Sequence, residues 1–96
     1  MNGNEELKAI REAIDRIDAH LIELLNKRME LALEAGRVKA AGGIPLFDSG
    51  REAEIYERLT EANPGPIADS SLRAIYREIL SASRQVQEEK LLRDGK

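Results

Sequence analysis

Arg28 stands on an apolar helix stripe with Leu24 and Leu31 on either side of it. Burying a guanidinium is costly unless an anion, an acidic side chain or water meets it. Lys39 lies eleven residues further along the same segment, about 16 Å along a helix axis and only about 20° around it. Two long cationic side chains leaning toward each other can hold a small anion between them. Ser83 interrupts a second apolar face between Ile79 and Val86, and Gln87 lies one turn beyond it on that face. Asp48 and Glu52 can accept hydrogen bonds from a ligand hydroxyl, or can simply cap a helix at its positive end. Arg51 between them reads, on its own, as an exposed first-turn residue. Arg11 flanks the same stripe as Arg28 but about 25 Å away along the axis. It reaches the same ligand only from an antiparallel second copy of the chain. The plainer alternative pairs Arg28 with a glutamate and lets Ser83 and Gln87 satisfy one another.

Other chemistries find little support. His20 is the sole histidine and cysteine is absent, so a transition-metal site is not expected, and neither are disulfides. Ser83 has no histidine nearby in sequence, which leaves a hydrolase triad without a base. Aromatic residues are 3% of the chain and the net charge is −3, so neither a stacking platform nor a basic face for nucleic acid is present. No apolar run approaches membrane-spanning length. The start MNGNEELKAI has no basic region followed by an apolar core, so no signal peptide is expected. A soluble, cytoplasmic protein without a cofactor is the expectation.

The elements that must hold these residues are helices. Leu7, Ile10, Ile14, Ile17, Leu21, Leu24, Arg28, Leu31, Ala35 and Val38 advance by steps of three and four, the pattern of a helix lying along a partner. Residues 5–41 contain no proline, and Gly42-Gly43 makes a stop. Such a helix spans roughly 55 Å, against about 26 Å for a compact domain of this length. It overhangs its own domain and must bury its seam on something else. Ser49-Gly-Arg-Glu52 has the form of a capping box and opens a short helix over 49–62. Asn63-Pro64-Gly65-Pro66 ends it. Asp69 or Ser70 is expected to cap a third helix over 69–92, with Leu72, Ile75, Ile79, Leu80 and Val86 on one side. With 96 residues, the chain reads as one all-α domain spanning 1–96.

Taken in order, these positions resemble the all-helical class of chorismate mutase. Arg11 falls in LKAIREAIDRID, Arg28 in LIELLNKRMELA and Lys39 in GRVKAAGGIP. Asp48, Arg51 and Glu52 fall in FDSGRE, and Ser83 and Gln87 in ILSASRQVQ. No single piece is specific, but together they cover roughly residues 5–90 on three helices. The resemblance implies an intertwined homodimer of three-helix chains that rearranges chorismate to prephenate, on the route to phenylalanine and tyrosine. It implies that Arg28, and Arg11 of the partner subunit, bind the two substrate carboxylates, with Ser83 assisting at the ring carboxylate. Glu52 and the backbone near Asp48 would hold the ring hydroxyl, with Arg51 ordering that region. Lys39 and Gln87 would donate to the ether oxygen. The class is often fused to prephenate dehydratase, prephenate dehydrogenase or the first enzyme of the shikimate pathway. Two other functions stay open on the same residues: isochorismate–pyruvate lyase on this scaffold, and a non-catalytic helical dimerisation or regulatory module.

Overall fold

The computed structural model describes residues 2–95; Met1 and Lys96, the ends of the domain span read from the sequence, lie outside them. Three helices account for most of the chain: α1 (Gly3–Gly42), α2 (Ser49–Ala62) and α3 (Asp69–Asp94). The fold is all-α.

Each helix end has an identifiable cause. Asn2 caps α1, its side chain accepting from the Glu5 amide at 2.9 Å. At the other end Gly43 adopts φ 67°, and Ile44 donates to the Lys39 carbonyl at 2.8 Å. That left-handed residue costs a glycine nothing and satisfies carbonyls the helix leaves open. The start of α2 departs from the expected capping box by one residue. Asp48, not Ser49, is the cap, and its carboxylate accepts from the Arg51 amide at 3.0 Å. A carboxylate is the stronger acceptor at the positive end of a helix, and its choice releases Glu52 for another partner. The start of α3 also differs from expectation. Ala68 is the cap position and offers no side-chain hydrogen bond, while Asp69 is already helical. Its carboxylate accepts from Asn63 Nδ2 at 2.7 Å, and that same amide also donates to the Ile67 carbonyl. The connection is thus tied by its asparagine.

α3 packs on the C-terminal part of α1 and on α2, so these two helices are joined through it. Among the described residues Leu80 of α3 is the one buried apolar side chain. The molecule measures 60 × 30 × 15 Å with a radius of gyration of 17.8 Å, where a compact chain of this length would have about 12.5 Å. The excess is the free length of α1. Between Asn2 and Lys27 every residue except Ala13 is exposed. Along this stretch Leu7, Ile10, Ile14, Ile17, Leu21 and Leu24 are each 43 to 60% exposed. A fully covered Leu or Ile side chain contributes about 1.5–3 kcal/mol. Roughly half of that is still to be gained at six successive seam positions.

Candidate active site

The C-terminal half of α1, the start of α2 and the middle of α3 enclose a cleft of about 310 Å³. Helix spacing puts the right residues on its walls. From α3, Leu80, Ser83, Arg84 and Gln87 all face it, as residues at i, i+3, i+4 and i+7 share a helix face. From α1, Arg28 and Lys39 face it across Leu31, Ala32 and Ala35, whose small alanines leave room for a ligand. The turn after Gly43 brings Leu46 and Asp48 to the rim, followed by Arg51 and Glu52 from the first turn of α2. Of the residues singled out from sequence, all line this cleft except Arg11. Arg11 is exposed on the overhanging part of α1, about 25 Å from Arg28 along the helix.

The polar groups are already partly engaged. Arg28 is half-buried, and its Nη1 donates to Ser83 Oγ at 2.8 Å. Among the described residues no glutamate pairs with Arg28 as the plainer alternative allowed. Ser83 in turn donates to the Ile79 carbonyl at 2.9 Å, so its hydroxyl is held from both sides. Lys39 Nζ donates to the Leu46 carbonyl at 3.0 Å, which fixes the ammonium at the turn. An ammonium has three protons, so two remain for a ligand. Gln87 is 6% exposed, and its Nε2 donates to the Ser83 carbonyl at 2.9 Å. Its second N–H is uncommitted, and its Oε1 is buried without a partner. Ser83 and Gln87 do meet, but through backbone, leaving the Gln87 amide unsaturated. Buried polar atoms left open in this way are uncommon in folded proteins.

Asp48 and Arg51 are exposed at the rim, and the Arg51 guanidinium is turned to Glu54 at 2.8 Å. Glu52 is half-buried and pairs with Arg84 of α3. Arg84 also lies over the Phe47 ring at 5.4 Å, a cation–π contact that fastens the turn to α3. Arg84 is missed by the sequence reading. Its position at i+1 from Ser83 and i−3 from Gln87 is the available signal, but a charged helix residue is ordinarily solvated. Its partner Glu52 lies 32 residues away. On this chain alone the cleft presents Arg28, Lys39, Arg51 and Arg84 against Asp48 and Glu52, a cationic excess of two. It has no nucleophile poised beside a base. Its inventory is one for binding anions and donating hydrogen bonds.

The chain is similar to proteins of known family. The model of the family described as chorismate mutase type II matches residues 10–88. The bifunctional chorismate mutase/prephenate dehydratase of Aquifex aeolicus is 42% identical over 82 residues, which cover 81% of this chain and 23% of that protein. The chain therefore spans about a quarter of the length of that relative. Among solved structures, form II of the chorismate mutase from Thermus thermophilus matches with a TM-score of 0.85 at 36% identity, covering 86% of this chain and 94% of the other. The chorismate mutase from Helicobacter pylori, in complex with prephenate, matches with a TM-score of 0.83 at 33% identity, covering 91% and 94%. With the family model extending over most of the chain and these helices superimposing at that identity, the chain belongs to the chorismate mutase type II family.

Proposed function

We propose that this chain is an isomerase that converts chorismate to prephenate within a homodimer. The observation that carries the reading is the cationic cleft, in which Arg28, Lys39, Ser83 and Gln87 converge without a nucleophile or base. The rearrangement is pericyclic: one C–O bond breaks as one C–C bond forms, and no proton or electron is exchanged with the protein. Such a reaction needs the flexible enolpyruvyl arm held over the ring, which removes an entropic barrier. It also needs donors at the ether oxygen, which gains negative charge as its bond breaks.

The cleft's residues suit these tasks. Arg28, propped by Ser83, presents a planar fork to a carboxylate. Lys39 and the uncommitted N–H of Gln87 serve the ether oxygen from opposite helices. Glu52, held by Arg84, accepts from the ring hydroxyl, with the backbone near Asp48 beside it, and Arg51 orders this rim. The second carboxylate takes Arg11 of the partner subunit. The exposed seam of α1 supports that assembly: two such helices, antiparallel, cover each other's Leu and Ile side chains. The same swap carries Arg11 from the far end of one α1 to the open side of the other cleft. A sequence without cysteine suits a cytoplasmic setting.

The direct test is to incubate purified protein with chorismate and follow its loss by absorbance, with product identification. Prephenate is the expected product. Pyruvate from isochorismate, with no turnover of chorismate, would instead assign the lyase reaction.

Gln87 gives a sharper test of mechanism. Its amide donates at any ordinary pH, whereas a carboxyl donates only while protonated. Gln87→Glu is therefore expected to work at low pH and lose activity as pH rises through the carboxyl's pKa. An unperturbed glutamate has a pKa of about 4.3. Above it the decline is on the order of tenfold per pH unit. A kcat–pH profile that parallels the parent enzyme would remove Gln87 from the ether-oxygen role.

A further inference from the structure

Gly36 is the one buried residue of α1 among those described, and it faces Gln87 across the α1–α3 contact. Its backbone is ordinary helix, so no left-handed conformation explains the glycine. At a mid-helix position alanine is the better helix former, so the glycine has a local cost that some contact must offset. The contact is with the stem of Gln87. A Cβ at position 36 would stand 2.9 Å from Gln87 Cγ, 3.3 Å from its Cβ and 3.2 Å from Oε1. The first distance is not tolerated by real side chains. Rotating the amide does not relieve it, because the obstacle is Cγ, upstream of the amide. Either the Gln87 side chain leaves its rotamer and gives up the bond from Nε2 to the Ser83 carbonyl, or α1 and α3 move apart.

We propose that Gly36 is a positioning residue for the reaction: its missing side chain is the space that holds the Gln87 amide in place against the ether oxygen. Gln87 is thereby fixed on two sides, by the Ser83 carbonyl within α3 and by the bare backbone of α1. Gly36 itself touches no substrate. Its effect passes entirely through Gln87, and the inference rests on the mutase reading given above.

Gly36→Ala is the experiment, with purified dimer and chorismate. Displacement of a catalytic group by several tenths of an ångström to about 1 Å is expected to lower kcat by roughly tenfold to a hundredfold. KM should stay within about threefold, because Arg28, Ser83 and Glu52 are untouched. In a Gln87→Ala background, where Cγ is gone, the same substitution should produce no further fall in kcat. A role in helix packing alone would spread α1 from α3, disturb the Arg28–Ser83 pair and raise KM. Retention of parental kcat in Gly36→Ala, or an equal loss of kcat with Gln87 already removed, would overturn the proposal. Should the single variant fail to fold, the double variant is expected to fold; if it also fails, the obstacle is not Gln87 Cγ or the amide beyond it, and the assignment falls. Absence of mutase activity in the parent protein is a separate result that would count against the function itself.

Discussion

Arg28→Leu is expected to lose turnover while keeping the helices and the proposed dimer. Arg28 occupies a half-buried seam position and donates to Ser83 at 2.8 Å. In the proposed complex its fork makes two charge-assisted hydrogen bonds to a carboxylate, each worth about 1.5–3 kcal/mol. Their loss corresponds to a fall in kcat/KM of about 10²–10⁴-fold. Stability should respond differently. Exchanging a half-buried ionic group for a packing residue between Leu24 and Leu31 is often neutral or favourable. The thermal midpoint of Arg28→Leu is therefore expected at or above that of the parent, against which the loss of one hydrogen bond is about 1 kcal/mol. Steady-state kinetics and thermal unfolding of the same preparation check both halves. Undiminished turnover would exclude Arg28 from substrate binding. A gain in stability in a parent protein that turns over no chorismate would favour the non-catalytic dimerisation module.

The second large effect concerns assembly. Arg11→Ala and Lys39→Ala are each expected to reduce activity to about 1% or less. After subunit exchange, half of an equal mixture consists of hybrid dimers, and each hybrid has one site with both residues intact. Activity should return to about a quarter of the parent value. The measurement is specific activity before and after exchange, with the exchange verified by mass-tagged chains. Verified hybrids that remain inactive would mean that Arg11 does not complete the partner's cleft, and the antiparallel pairing would be wrong.

Much of the architecture is legible in the residues, for reasons that differ by element. The stripe from Leu7 to Val38 needs only helical periodicity, and its excess length over a compact domain is simple arithmetic. Local signals suffice to place the breaks at Gly42-Gly43 and Asn63–Pro66. The caps do not follow as cleanly. Asp48 and Ser49 are adjacent and both able to cap, so choosing between them depends on which one takes extended dihedrals at the turn. Asp69 reads as a cap because its chemistry fits, but Asn63 claims its carboxylate. In the cleft, Arg28, Ser83 and Gln87 are visible because each breaks an apolar pattern. Arg84 breaks none, and only the packing of α2 on α3 brings Glu52 to it. Gly36 is silent for the same reason: the sequence reports a missing side chain, and only the helix crossing reports what occupies its place.

The bareness of α1 has a thermodynamic consequence. With one buried apolar side chain among the described residues and six half-exposed seam residues, the chain has little cohesion that belongs to it alone. In the proposed homodimer most of what holds the helices would arise on pairing, so folding and association would become one reaction. For an equilibrium of that kind, stability is tied to protomer concentration: the relevant constant carries units of molarity, and dilution acts as a denaturant. In the proposed dimer, catalytic competence would disappear together with the fold, since the encounter that buries the seam would also deliver Arg11.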